Sequence, residues 1–152
     1  MKKMFFVLIF CLTFISAFGW EVLNEVDEFE DPTGKKELAY KVAKNRYISI
    51  KPKDETGYYP MTVIFDDAKK MTAMESKTVR VKVDAMGPFE YYGTVFCNMA
   101  FVIFVEKELL DLMAKGKEIK FSIPDEDDFY HLEKFSLKGF KAKYEEAVNK
   151  ME

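Results

Sequence analysis

The sequence is short of the residues from which most small catalytic and metal sites are built. His131 is the single histidine in 152 residues, so no site needing two imidazoles, such as the H-E-x-x-H helix of zinc peptidases, can be assembled. The two cysteines, Cys11 and Cys97, form no C-x-x-C pair, which removes zinc ribbons and thioredoxin-like redox motifs. Seven glycines, none clustered, leave no phosphate-cradling loop and no G-x-S-x-G nucleophile turn. No cofactor is expected. There is no Pro- or Ser-rich linker, no internal repeat and no basic block of five or more residues. With 26 acidic against 23 basic side chains and a net charge of −3, the balance weighs against nucleic acid or anionic lipid as the main partner.

Long hydrophobic runs are also scarce. The clearest, Phe5 to Ile15, follows the basic start Lys2-Lys3. It is too short to cross a bilayer, for which roughly 20 apolar residues are needed. It matches the central region of a secretory signal, with Ala17 and Gly19 as the small residues a signal peptidase reads. The expected cut lies between Gly19 and Trp20, making 1–19 a signal peptide and 20–152 a single β-rich domain. A lipid anchor on Cys11 is the rival reading, but Phe10 stands where a lipoprotein signal has a small residue. Export to the periplasm or beyond follows, with no stable membrane span after processing. Only Cys97 would then survive, so no internal disulfide forms, and its apolar setting in "TVFCNMAFVIFV" suggests a buried, inert thiol.

What is present is mostly alternation of period two, the mark of half-buried strands. Val79, Val81 and Val83 share one face, as do Ile119, Phe121 and Ile123. Leu38, Tyr40 and Val42 form a row, and Ile48 with Ile50 another after a turn at Lys44-Asn45. Met61, Val63 and Phe65 follow, then Phe135 and Leu137; Trp20, Val22 and Val26 make a weaker first strand. The stretch from Thr94 to Val105 is apolar on both faces except at Asn98, which predicts a central strand covered on both sides. Helical spacing brings Leu109, Leu110 and Met113 together, with Gly116 expected as a left-handed cap. Phe140, Tyr144, Ala147 and Val148 form a second stripe, and "DDAKKMTAMESK" suggests a short helix capped by Asp66 or Asp67. The fold class is mainly β: an antiparallel β-sandwich or curled sheet with two or three helices, including an amphipathic C-terminal one.

Following strand directions with simple antiparallel connections puts loops 52–60, 85–93 and 124–133 at one end. They hold Tyr58, Tyr59, Phe89, Tyr91, Tyr92, Phe129, Tyr130 and His131, beside the acidic run Asp125–Asp128. The plainer account, preferred on general grounds, is that these rings plug the open end of the core. The alternative is an aromatic, acid-rimmed recognition surface, since tyrosine offers large contact area with few torsions to freeze. The acidic run lacks the D-x-D-x-D-G spacing of a calcium loop and suggests a solvated turn, so no metal is expected. Met71 and Met74 are the only closely spaced mature methionines, too few for a copper shuttle.

The apolar leader, Trp20 behind it, "DEFEDPTGKK" and the closing "FSLKGFKAKYEEAV" resemble small exported bacterial proteins of the invasion-associated locus B type and the VasI type associated with type VI secretion. The resemblance implies a β-sandwich that begins at the Trp. This chain lacks the cysteine pair such proteins often carry, and no functional residue is carried over. The expected function is a non-enzymatic binding or accessory role toward a protein or cell-envelope component. A small hydrolase using Cys97 or His131, or a structural subunit, are the alternatives.

Overall fold

The computed structural model describes residues 19–43, 46–65, 76–96, 100–124 and 129–152. Among them, nine strands form one sheet: β1 (Gly19–Val26), β2 (Pro32–Ala43), β3 (Arg46–Ile50), β4 (Tyr59–Ile64), β5 (Ser76–Val83), β6 (Met86–Phe96), β7 (Ala100–Val105), β8 (Glu118–Pro124) and β9 (Tyr130–Ser136). Helix α1 (Lys107–Met113) follows β7, and α2 (Phe140–Ala147) follows β9 and runs into a 3-10 turn, Val148–Lys150. The spatial order is β1-β2-β3-β4-β7-β6-β5-β8-β9, with every neighbouring pair antiparallel.

The alternating rows explain this sheet. Val79, Val81, Val83, Ile48, Ile50, Met61, Val63, Phe65, Ile119, Phe121, Ile123, Phe135 and Leu137 are all buried. A sheet with one apolar face must cover it, and this one curls around its own core. The curl brings the two edges together. Trp20 of β1 donates its Nε1 hydrogen to the Ser136 carbonyl of β9 at 3.0 Å. Arg46 of β3 donates to the Lys134 carbonyl at 2.8 Å and pairs with Glu133 at 3.2 Å. Side chains thus occupy carbonyls that an edge strand would otherwise offer to another chain. Helix α2 packs on β1 and β2 at this seam, burying Phe140, Tyr144 and Ala147 as its stripe predicts.

Two expectations are overturned. The stretch Thr94–Val105 is not one doubly covered strand. It supplies the end of β6 and all of β7, paired antiparallel with Val95 opposite Phe101 and Phe96 opposite Ala100. Val95, Phe101, Ile103 and Val105 do face the core, but Phe104 is exposed. Reversal inside an unbroken apolar run leaves no turn signal beyond Asn98, and residues 97–99, with Cys97, lie outside the described set. So do 66–75 and 125–128, which carry Asp66, Asp67, Met71, Met74 and the acidic run.

Gly116 is no left-handed cap either. The residue closing α1, Ala114, is right-handed, and Gly116 is not among the glycines with positive φ. Its lack of a side chain makes room instead: a Cβ there would lie 2.5 Å from Val83 Cγ1 and 3.2 Å from Leu137 Cδ1. Gly116→Ala is expected to cost about 1–3 kcal/mol through overpacking. Urea denaturation checks this; an unchanged midpoint would mean Val83 yields freely.

Candidate functional site

The register defines the two ends of the strands. Tyr59 pairs with Val105 at one, here the upper end, and Ile64 with Ala100 at the lower. Loop 51–58, the turn Asp84-Ala85 and α1 all gather at the upper end. Loop 51–58 is shaped by Asp54, whose Oδ1 accepts from the Thr56 hydroxyl at 2.6 Å, the Thr56 amide at 2.9 Å and the Tyr58 amide at 3.2 Å. These bonds, the Thr56 hydroxyl first, hold its carboxyl below the usual range. Gly57 takes the left-handed φ of 88° that the turn requires. The result sends Tyr58 outward and Tyr59 into the core.

Three buried or half-buried tyrosines at this end each donate to a carboxylate. Tyr59 reaches Glu152 Oε1 at 3.1 Å, Tyr91 reaches Glu106 Oε2 at 3.1 Å, and Tyr144 reaches Asp111 Oδ1 at 2.8 Å. Lys53 pairs with Glu152, while its amide donates to the Met151 carbonyl at 2.7 Å, stitching the C-terminal residues to the loop. Lys107 lies 3.6 Å from Asp111. Burial, then the adjoining Glu152, pushes the Tyr59 phenol up to about 12. Tyr91 and Tyr144 are raised as well, chiefly by burial and then by Glu106 and Asp111 respectively. Glu152 is held low, first by the Lys53 hydrogen bond and then by Tyr59. The phenols are fixed as donors and the carboxylates as acceptors.

Two adjoining depressions open here. One, of about 430 Å³, is lined by Phe89, Tyr91, Glu106, Glu108, Leu109 and Leu112. The other, of about 380 Å³, shares Glu106 and Glu108 and adds Lys53, Tyr58, Tyr59, Lys107 and Glu152. The first is an apolar floor with a carboxylate rim; the second is mainly polar. Among the described residues no group of three or more His, Cys, Asp or Glu is placed to hold a metal ion.

The crystal structure of invasion associated protein B from Bartonella henselae is similar to this chain, with a TM-score of 0.60 over 86% of this chain and 90% of that one. This chain has the fold of invasion associated protein B. No family model and no curated protein matches the sequence. At 14% identity the likeness to invasion associated protein B lies in the backbone path, so the side chains at the upper end stand on their own geometry.

Of the residues expected to share one end, Tyr58, Tyr59, Phe89 and Tyr91 line the two depressions. Tyr92, Phe129, Tyr130 and His131 do not. Tyr91 and Tyr92 belong to β6 rather than to a loop, and alternate residues of a strand face opposite ways. Tyr130 and His131 begin β9 at the lower end, where Tyr130 pairs with Pro124. The extra reversal between β6 and β7 is the cause: it inverts the direction of every later strand. The same inversion brings α1, expected at the far end, beside loop 51–58. Glu106, Glu108, Leu109 and Leu112 therefore join a site that the sequence pattern did not assign to them.

Alkaline titration tests the tyrosine–carboxylate bonds. A folded-state pKa above the unfolded value of 10.0 means the native protein keeps a proton the unfolded chain releases. That stabilisation is complete below pH 10 and is lost as the pH climbs toward 12. Absorbance at 295 nm of the native protein is expected to lag the denatured protein by about three phenols near pH 11. A lag below one phenol would contradict the bonds.

Proposed function

We propose that this chain is an exported, non-enzymatic binding or accessory protein that recognises a protein or cell-envelope component at the upper end of its sheet. The observation carrying this is the pair of adjoining depressions, one apolar and one polar, joined across Glu106 and Glu108. Concave apolar surface with a few oriented polar groups is the usual form of a binding site. The phenols around it are tied to carboxylates as donors, which supports binding over chemistry. The fold of invasion associated protein B, a protein named for invasion, is in keeping with a role at the cell envelope. Export rests on the leader Phe5–Ile15 and on Ala17 and Gly19.

The expectation of eight aromatic site residues narrows to Tyr58, Tyr59, Phe89 and Tyr91. Tyr59 is part of the core, so the test uses exposed members. A variant carrying Tyr58→Ser, Glu106→Gln and Glu108→Gln is expected to melt within a few degrees of the wild type yet to lose capture of envelope components by chemical cross-linking in an extract. Equal capture by both proteins would remove the upper end as the site. Intact mass of the natural product tests export: a chain beginning at Trp20 is expected, and one retaining Met1 would contradict it.

A further inference from the structure

The outer face of the sheet, away from both the core and the upper depressions, carries an ordered pattern that the sequence does not show as a block. The register sets Lys82 of β5 opposite Lys120 of β8, and Lys120 opposite Lys134 of β9. Three ammonium groups from three strands stand in one row. In the next row Arg80 lies opposite Glu90 and Ser122, and Ser122 opposite Leu132. Beyond it Tyr92 pairs with Thr78 and Tyr130 with Pro124, while the Arg80 guanidinium sits 5.5 Å over the Tyr130 ring. Tyr92 is 82% exposed, Tyr130 56% and Leu132 57%.

Folding alone does not account for this face. Like charges directly opposite across strands are destabilising, and large apolar side chains gain nothing from standing in water. Lys120 is offset by Glu118 at 3.1 Å and Arg80 by Glu90 at 3.0 Å, but Lys82 and Lys134 have no ion-pair partner among the described residues. An open sheet face encloses nothing small. A row of cations bordering a row of exposed aromatic and aliphatic groups matches a surface where phosphates lie over hydrocarbon.

We propose that this face docks on an anionic phospholipid surface. Lys82, Lys120, Lys134 and Arg80 meet the phosphates, and Tyr92, Tyr130 and Leu132 enter the headgroup layer. The acidic balance of the whole chain, which weighed against anionic lipid, does not govern this contact. Charges beyond a Debye length of about 10 Å are screened, so the local face decides.

The test is hydroxyl-radical footprinting of the full chain on vesicles. The readout is position-specific, so any contact made by the leader Phe5–Ile15 is told apart from docking of this face. On vesicles of phosphatidylcholine with phosphatidylglycerol, oxidation of Tyr92, Tyr130 and Leu132 is expected to fall several-fold relative to phosphatidylcholine alone, with Tyr58 unchanged. In the Lys82→Gln, Lys120→Gln, Lys134→Gln variant that protection is expected to vanish, because each basic group near such a surface contributes roughly fivefold in partitioning. Removing the opposed charges is expected to leave its melting temperature equal or higher. Should that variant lose structure, Lys82→Gln and Lys134→Gln taken singly carry the same reading with a partial effect. Equal oxidation on both vesicle types, or protection retained without the lysines, overturns the proposal. So does protection that appears without vesicles and grows with protein concentration, which would assign the face to a second copy of the chain.

Discussion

Phe121→Ala is expected to lower the unfolding free energy by about 3–5 kcal/mol, enough to leave a domain of this size marginal. Phe121 is fully buried at the middle of β8 and sits between two other rings, Phe101 at 5.8 Å and Phe135 at 6.0 Å, both edge-on. Phe101 continues to Phe65 at 5.9 Å and Phe135 to Tyr40 at 6.4 Å, so the chain of rings spans the interior from β4's end to β2. Removing the central ring leaves a cavity between Phe101 of β7 and Phe135 of β9. Guanidinium denaturation gives the number. A loss below about 1 kcal/mol would mean the core closes over the gap, contrary to the close packing of protein interiors.

Trp20→Ala is expected to cost a similar about 3–5 kcal/mol, although Trp20 lies at the chain's edge strand. Its ring stacks on Tyr40 at 5.1 Å and meets Phe140 edge-on at 4.6 Å, and its indole hydrogen goes to the Ser136 carbonyl. One side chain thereby joins β1, β2, α2 and the end of β9. Trp20→Phe keeps most of the packing and removes the hydrogen bond, so a loss nearer about 1 kcal/mol is expected. As the single Trp, it also reports on the seam: native fluorescence should be blue-shifted and should move red in one step with unfolding. A red emission maximum in the native protein would contradict the buried seam.

How far the sequence carried depends on which feature is asked about. Val79, Val81 and Val83, or Ile119, Phe121 and Ile123, announce their inward faces because alternation is a local property of a strand. Leu109, Leu110 and Met113 do the same for α1. Direction is a cumulative property: one missed reversal in Thr94–Val105 sent Tyr130, His131 and α1 to the wrong ends. Gly116 shows a related limit, since the neighbours that crowd it, Val83 and Leu137, are far away in sequence.

By itself, then, the amino-acid order determined a mainly β chain, the inward residues of its strands, two amphipathic helices and the absence of the common catalytic motifs. Each of these follows from spacing within a few residues. Only the tertiary structure decided that Tyr58, Tyr59, Phe89 and Tyr91 meet Glu106 and Glu108, that Trp20 closes onto Ser136, and that Lys82, Lys120 and Lys134 form one row. Those are products of strand order and register. Shifting a strand by one residue turns all its side chains to the other face, and such a choice is made by the packed core as a whole.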